Sequence, residues 1–283
     1  MEEAYKLSAS IVNQDEKAKE GAMLKAWQRA NHVDIIVVPG EYDTAQIVLD
    51  SLELQHVLKD PEAFDDIHLS SQDVVIVNCP GEGFSDAGLA ALRDHVLHGG
   101  LLITTDWALK HVVQAAFPGY IEHNGAETEE EFVDVRVTDK IMGYMKGLIA
   151  PGLSPSWWLE GGSYPIRLLN NNVRKLLISR AMKERYEDPT VACIIHYGKG
   201  QIMHMTSHLF LKNAAPLDSG SKSALPELLS TMQVDPATRD EIKRACQDDT
   251  SYKAIEAAFV LESLLVRVLK NHSKPGSNTG HHA

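Results

Sequence analysis

Residues 73–105 read DVVIVNCPGEGFSDAGLAALRDHVLHGGLLITT. The β-branched run 73–78 is typical of a strand buried on both faces, and the glycine-bearing loop 79–84 ends it. From residue 85 the apolar residues recur at helical spacing as far as Gly99-Gly100, and residues 101–105 form another short apolar run. The order strand, loop, helix, strand predicts two parallel strands joined by a helix.

The same pattern extends on both sides of this stretch. Residues 34–40 form a β-branched run ended by Pro-Gly, and Asp43 with Gln46 resembles a capping box at the start of a helix. Asp106 follows the run 101–105 in a position to cap a further helix. This alternation predicts an α/β fold with a mostly parallel, flavodoxin-like sheet and helices on both faces.

The second half of the chain departs from strict alternation. Alternating apolar residues predict a half-buried strand at 132–137, where the sheet becomes mixed. Residues 139–170 hold a segment rich in Gly, Pro and Trp that is too long for a plain linker. Further strands are predicted at 175–179, 191–197 and 201–206, the last two as a hairpin, and carboxy-terminal helices at 224–232, 236–246 and 252–269.

These patterns divide the chain into parts. Residues 1–32 are predicted to form an amino-terminal helical arm, and residues 33–212 an α/β domain. Residues 213–270 are expected to form a helical extension packed on the same domain. Residues 271–283 have little to bury and are predicted to be disordered.

The composition argues against several classes of protein. The formal net charge is −12, and the sequence contains no run of Lys or Arg that would form a basic patch. Nucleic acid is therefore not expected as a partner. No apolar run approaches the roughly 20 residues that cross a bilayer, and the charged amino-terminal stretch does not resemble a signal peptide, which predicts a cytoplasmic protein without a membrane partner. Cys79, Cys193 and Cys246 are widely spaced, so neither a disulfide framework nor a zinc ribbon is indicated.

Three motifs, taken in order, resemble the class I glutamine amidotransferase-like superfamily. They are the loop 79–83 (Cys-Pro-Gly-Glu-Gly), the strand entry 99–103 (Gly-Gly-Leu-Leu-Ile) and the ending 198–208, which runs from Gly-Lys-Gly to a histidine. The resemblance covers about residues 33–212 and is closest to non-amidotransferase branches such as the ThuA-like proteins.

This resemblance implies a site at one edge of the sheet. In the amidotransferases a cysteine on a sharp strand-to-helix turn is the nucleophile and a later histidine is its base. The corresponding turn here, residues 104–107, reads Thr-Thr-Asp-Trp and lacks the cysteine, whereas His208 matches the histidine. Gly81 and Gly83 match a loop that binds an oxyanion in the family. The resemblance therefore implies a residual pocket without glutamine hydrolysis.

Several side chains on the loops after the first strands are site candidates. Asp106 either points into the pocket or caps the next helix. Glu82, between two glycines, points into solvent or into the cleft, and Thr105 either lines the pocket or serves the strand through its β propensity. Gly81 and Gly83 lack nucleotide-binding spacing, so they serve a tight turn or a ligand loop, and no cofactor is expected.

His208 is the strongest candidate, because a histidine that follows a strand falls at the carboxyl edge of the sheet, where open α/β folds bind ligands. A structural histidine is the alternative. His196 and His204 could form a metal set with His208, but no carboxylate spacing supports one, so no metal is expected. Cys79 is interpreted as a small buried side chain rather than an exposed thiol.

Trp157, Trp158 and Glu160 could form an aromatic, acid-tipped wall for a ligand or for a partner's peptide, with core packing as the alternative. The leading functional hypothesis is a catalytically degenerate amidotransferase-like domain that binds a protein partner or a small ligand. The rival is a hydrolase of the same fold that uses Glu82, Asp106 and His208 as acid and base, and convergence of these side chains on one cavity would favour it. A purely structural subunit would instead expose a large apolar patch.

Overall fold

The computed structural model describes residues 1–14, 24–26, 28–29, 33–138, 154–212, 222–232, 234–246 and 248–273. Its helices are α1 (Glu2–Gln14), α2 (Ala45–Ser51), α3 (Asp86–His98), α4 (Gln114–Ala116), α5 (Arg180–Tyr186), α6 (Leu225–Thr231), α7 (Pro236–Ala245) and α8 (Asp249–His272). Its strands are β1 (Ile35–Val38), β2 (Val57–Leu58), β3 (Val74–Val77), β4 (Leu101–Thr105), β5 (Ile121–His123), β6 (Glu131–Asp134), β7 (Arg136–Val137), β8 (Ser156–Leu159), β9 (Ile166–Leu168), β10 (Val173–Ile178), β11 (Thr190–Tyr197) and β12 (Gly200–Met205). A 3₁₀ helix spans Pro61–Asp65 and a π-helical segment spans Leu109–Val113. Parts of the predicted arm 1–32, segment 139–170, extension 213–270 and tail 271–283 lie outside the described residues.

The main sheet has eight strands in the order β2-β1-β3-β4-β12-β11-β10-β7. Strands β2, β1, β3, β4 and β12 are parallel to their neighbours in this series. The remaining pairs, β12 with β11, β11 with β10 and β10 with β7, are antiparallel. The predicted hairpin is confirmed, because Tyr197 pairs with Gly200 across the turn between β11 and β12. The predicted α/β fold with a mostly parallel sheet is therefore confirmed, and its carboxyl edge collects the loops after β1, β3, β4 and β12.

Successive residues of the central strands enter opposite cores, which explains their unbroken apolar sequences. In β1, Ile35 and Val37 pack in one core and Ile36 and Val38 in the other, as the two-residue period of a strand requires. The first core also contains residues of α1, α2 and α8, whereas the second contains residues of α3 and of the π-helical segment. Helices thus cover both faces of the sheet, as predicted.

The two terminal helices form part of the core. Helix α8 is buried along most of its length, where α1, α6 and β8 pack against it. In α1, Tyr5, Leu7 and Ile11 are buried, and the Tyr5 hydroxyl donates to the carbonyl of Leu209 at 2.7 Å. The predicted arm is helical over its described beginning, but it lies in the core and braces the loop after β12.

The predicted strand 132–137 is wrong as a single element. It divides into β6, which pairs with β8 in a small separate sheet, and β7, which pairs with β10 at the end of the main sheet. The break falls at Val135, whose backbone N–H donates to the carbonyl of Pro155 at 2.9 Å. A pattern of alternating residues cannot show which sheet each half joins.

None of the helices in the described residues combines the length and the apolar character that a membrane span requires.

Candidate functional site

The carboxyl edge of the main sheet brings together side chains from four loops. Asp43 follows β1, Cys79 follows β3, Asp106 follows β4 directly and His208 follows β12. All four are buried, with 6% or less of each residue exposed. Ligands of open α/β sheets bind at this edge, and the positions predicted for Asp106 and His208 therefore agree with the observed topology.

Asp106 occupies a sharp turn at the end of β4. Its φ is +45°, a left-handed value that is uncommon for residues other than glycine. One carboxylate oxygen, Oδ1, accepts from the backbone N–H of Tyr164 at 2.7 Å, and Oδ2 accepts from the hydroxyl of Ser163 at 3.0 Å. The helix-capping interpretation of Asp106 is wrong, because its carboxylate bonds to this neighbouring loop while Ala108 precedes the π-helical segment.

His208 lies between two carboxylates. Its Nε2 is 3.3 Å from Asp106 Oδ2, and its Nδ1 contacts Glu160 Oε2. Neither contact has hydrogen-bond geometry, so both ring nitrogens lack a hydrogen-bond partner among the described residues. Burial lowers the pKa of His208, but the adjacent Asp106, Cys79 and Glu160 together outweigh it and raise this pKa well above 6.5.

Cys79 contributes its thiol to the same cluster. It is buried, as predicted, but its Sγ is 3.8 Å from Asp106 Oδ2. Burial raises the pKa of the Cys79 thiol, so this group is not an activated thiolate by itself. In the described part of the chain, Cys79, Asp106 and His208 are the one group of potential metal ligands whose donor atoms all lie within 4.8 Å of one another.

The other two histidines of the predicted metal set lie elsewhere. His204 is on β12, its Nδ1 is 2.9 Å from the hydroxyl of Thr104, and burial lowers its pKa to about 3. His196 is on β11, where burial also lowers its pKa. His196 and His204 lie within strands, whereas His208 lies in the loop after β12. The structure therefore does not bring the three histidines together as one set of ligands.

Asp43 is a buried carboxylate that the sequence had suggested only as a helix cap. Its Oδ1 accepts from the backbone N–H groups of Thr44 at 2.7 Å and Phe210 at 3.0 Å. Its Oδ2 accepts from the hydroxyl of Thr105 and the backbone N–H of Leu209, both at 2.9 Å. The capping box is wrong, since Thr44 is the N-cap of α2. The signal that could have identified Asp43 is its position just after a buried strand.

Thr105 connects the Asp43 carboxylate to the loop that begins at Cys79. Its hydroxyl donates to Asp43 and accepts from the backbone N–H of Cys79 at 3.1 Å. Because Thr105 is fully buried, its hydroxyl fixes the loop after β3 and does not meet a ligand. The predicted ligand-binding role of Thr105 is therefore replaced by a positioning role.

Residues 81–83 do not join the cluster, although Cys79 at the start of the same loop does. The side chain of Glu82 is 62% exposed and pairs with His111 Nε2 at 3.3 Å, outside the cavity that holds Asp106 and His208. Gly81 and Gly83 do not line that cavity either. Both have positive φ angles, +74° and +91°, which favours the tight-turn interpretation. The predicted trio of Glu82, Asp106 and His208 is thus not assembled.

Gly81→Ala is expected to lower the free energy of unfolding by about 2 kcal/mol, because a left-handed alanine costs about 1–2 kcal/mol and the new Cβ would crowd its surroundings. That Cβ would lie 2.8 Å from the Cβ of Ala108. Gly83→Ala is the matched control, since its Cβ would come no nearer than 3.2 Å to Pro61. Urea denaturation measures both variants, and equal losses would contradict the role of the Ala108 contact.

A cavity of about 490 Å³ opens onto the cluster. Aromatic, acidic and basic side chains form its wall together with the cluster: Tyr42, Cys79, Asp106, Trp107, Glu130, Trp158, Glu160, Gly161, His208 and Lys212. Burial raises the pKa of Glu160, while His208 opposes that rise. The cavity therefore joins apolar surface to several carboxylates, a common combination in small-ligand sites.

The predicted aromatic wall is only partly assembled. Trp158 and Glu160 line the cavity, and the Nε1 of Trp158 lacks a hydrogen-bond partner among the described residues. Trp157 packs in the core, where its Nε1 donates to Ser207 Oγ at 2.8 Å. Neighbouring residues of β8 point to opposite sides, so only one of the two tryptophans can face the cavity.

No protein-family model matches the sequence, and no curated protein matches it. Among solved structures, a ThuA-like protein from Bacteroides uniformis is 11% identical with a TM-score of 0.45, over 62% of this chain and 82% of that protein. A cytoplasmic protein from Salmonella typhimurium is 13% identical with a TM-score of 0.44, over 64% and 91% of the two chains. A β-galactosidase from a Rahnella species is 13% identical with a TM-score of 0.42, over 62% of this chain and 29% of that enzyme. The chain thus spans less than a third of the length of that β-galactosidase.

Proposed function

We propose that the cavity at the carboxyl edge is the active site of a hydrolase, in which Asp106, His208 and Glu160 activate a water molecule against a small polar substrate. The observation that carries the proposal is the contact of His208 with both carboxylates at the wall of one cavity. Asp106, on its left-handed turn, takes the place of the amidotransferase cysteine. We also propose that the chain belongs to the class I glutamine amidotransferase-like superfamily, in its ThuA-like branch.

The predicted trio is not assembled, because Glu82 lies outside the cavity. Two of its members, Asp106 and His208, do meet there, and Glu160, predicted as part of the aromatic wall, contacts His208 as well, which supports a hydrolase with a different second acid. An acid and a base within reach of one solvent-connected space are the minimum for proton transfer during hydrolysis.

The contacts suggest distinct tasks within the cluster. Asp106 accepts from Ser163 and Tyr164, so its carboxylate is held in place and in turn orients His208. The side chain of Glu160 is 19% exposed, whereas that of His208 is 7% exposed. Glu160 is therefore the better placed of the two to donate a proton to a substrate.

The second candidate is a catalytically degenerate domain that binds a small ligand or a protein partner in the same cavity. It is supported by the absence of a cysteine on the turn after β4 and by burial of the Cys79 thiol, whose pKa is raised. Cys79, Cys193 and Cys246 are all free, which fits the proposed cytoplasmic location. A ligand that binds without turnover would favour this candidate.

His208→Ala is expected to lower hydrolytic kcat/KM by at least 100-fold, the usual contribution of an acid–base side chain. Suitable probes are nitrophenyl esters, phosphates and glycosides and amino-acid nitroanilides, assayed by release of the chromophore. Glu82→Gln is the matched control and should retain full activity, because Glu82 lies outside the cavity. Turnover that is unchanged in His208→Ala, or absent from the wild type with every probe, would contradict the hydrolase.

A further inference from the structure

We propose that Cys79, Asp106 and His208 bind one Zn²⁺ ion. Asp106 Oδ2 is 3.8 Å from Cys79 Sγ and 3.3 Å from His208 Nε2, and all three donor atoms lie within 4.8 Å of one another. Zinc bonds of about 2.0 Å to nitrogen and oxygen and about 2.3 Å to sulfur place tetrahedral ligands roughly 3.3–3.6 Å apart. The two distances from Asp106 Oδ2 are therefore close to the spacing of a zinc site, and the sulfur–nitrogen distance, which is within 4.8 Å, needs only side-chain adjustment to reach it.

The chemistry of the donors selects the metal. A thiolate, an imidazole and one carboxylate form a mixed sulfur, nitrogen and oxygen set, which suits Zn²⁺. Mg²⁺ and Ca²⁺ prefer oxygen ligands alone, and this cluster offers a single carboxylate among its three donors. Binding would displace one proton from the Cys79 thiol and one from Nε2 of His208, because a thiolate and a neutral imidazole are the forms that ligate metals.

The surroundings of His208 match those of a zinc-ligating histidine. Glu160 contacts its Nδ1, so the Nε2 that faces Asp106 is left for a metal. Zinc-bound histidines usually donate their second ring nitrogen to a carboxylate, which fixes the orientation of the ring, and Glu160 is the carboxylate that lies beside Nδ1. Nε2 is buried and lacks a hydrogen-bond partner among the described residues, and a bound metal ion would be a partner for it.

The charge of the site also favours a cation. Asp43, Asp106 and Glu160 bring three carboxylates to this edge, and His208 is in contact with two of them. The cationic groups beside them are His208 and Lys212, whose ammonium group donates to the carbonyl of Glu41 at 3.0 Å, so the three carboxylates outnumber the positive charges. Buried carboxylates need compensation, and a divalent ion would provide it where they converge.

The position of the cluster would leave a metal open to substrate. All three ligands line the cavity, and zinc held by three protein side chains keeps a further position for water. With zinc bound, Asp106 and His208 would act on that water as ligands of the metal instead of as a free acid and base, and the metal would lower the pKa of the water that serves as the nucleophile of the hydrolase. Only this catalytic role rests on the proposed function, whereas zinc binding can be measured without any substrate.

The test is a metal titration of the full chain after treatment with a chelator and dialysis. Wild-type protein is expected to bind one equivalent of Zn²⁺ tightly, and Co²⁺ in its place should show a thiolate-to-cobalt charge-transfer band. Cys79→Ser should lose the band and weaken Zn²⁺ binding more than 100-fold, and His208→Ala should weaken binding similarly. Glu160→Gln should weaken it by about 10–100-fold, as expected for a carboxylate that orients a ligand.

Cys246→Ser is the matched control, because Cys246 is a free cysteine outside the cluster, and it should bind like the wild type. Cys79→Ser is nearly isosteric, and its unfolding transition without metal shows whether it folds. The absence of tight stoichiometric binding to the wild type would overturn the proposal, as would a charge-transfer band that survives in Cys79→Ser. Hydrolysis that persists in metal-free protein would reject the catalytic role of zinc and leave the hydrolase standing, whereas zinc binding without turnover would reject the hydrolase alone.

Discussion

Asp43→Ala is expected to lower the free energy of unfolding by about 3–5 kcal/mol, because it leaves several buried donors without an acceptor. The Asp43 carboxylate accepts from the backbone N–H groups of Leu209 and Phe210 and from the hydroxyl of Thr105. Each unsatisfied buried donor costs about 1–3 kcal/mol, and alanine offers none of them a partner. The variant therefore loses contacts to the last residue of β4 and to the loop after β12.

Urea denaturation of wild type and variant measures this loss. Asp50→Ala is the matched control on α2, because the side chain of Asp50 is 71% exposed, and it should change stability by less than about 0.5 kcal/mol. Asp43→Asn should fall between the two, since an amide keeps one acceptor oxygen. A loss in Asp43→Ala as small as that of Asp50→Ala would contradict the role of Asp43 as a hub.

The same loops carry the site, so the structural and functional roles of Asp43 are linked. Leu209 directly follows His208, and Thr105 directly precedes Asp106 while also accepting from the N–H of Cys79. One buried carboxylate therefore fixes the backbone beside each proposed zinc ligand. Precise placement of ligands by a supporting shell is what a metal or catalytic site requires.

The sheet could be predicted from the sequence because its strands are apolar on both faces. The runs in β1, β3 and β4 leave no alternative to a buried parallel strand, and the turn at residues 198–200 specifies the hairpin. By contrast, the split at Val135 depends on which strand each half meets. Pairing partners far apart in sequence leave no local signal.

The site could be predicted only where topology alone placed a residue. His208 and Asp106 follow strands, so the carboxyl-edge rule applied to both. Asp43 and Cys79 also follow strands, but the local sequence favours a helix cap for Asp43 and a small buried side chain for Cys79. Their contacts in the site were therefore not predicted. Glu160 was predicted as part of the aromatic wall and does line the cavity, but its contact with His208 depends on how the chain after β8 returns to the sheet edge, which has no local signal in the sequence.

A buried acid on α8 should make the stability of this protein depend on pH. Glu262 is fully buried, its Oε1 accepts from Ser51 at 2.8 Å and its Oε2 contacts the hydroxyl of Ser8. Burial raises the pKa of Glu262 to about 8 from an ordinary 4.5, although both serines lower it somewhat. Tyr5, on α1, has a pKa raised well above 10 and stays neutral over this range.

The sign of the effect follows from proton binding. Between about pH 4.5 and pH 8 the folded chain holds a proton on Glu262 that the unfolded chain has released. The contribution of Glu262 is therefore fully present below about pH 4.5 and is lost as pH rises towards 8, at up to about 1.4 kcal/mol per unit. Glutamine resembles the protonated acid and does not titrate, so Glu262→Gln should remove this dependence.

The expected result is a gap between the two proteins that changes by about 3 kcal/mol from pH 5 to pH 8, with Glu262→Gln gaining relative to wild type as pH rises. Urea denaturation at several pH values measures it, and the difference between the proteins cancels titrations that they share. Glu227→Gln, at an exposed position on α6, should show no such change. A gap that stays constant across this range would mean that Glu262 titrates alike in the folded and unfolded chains, and that burial in the core does not hold it protonated.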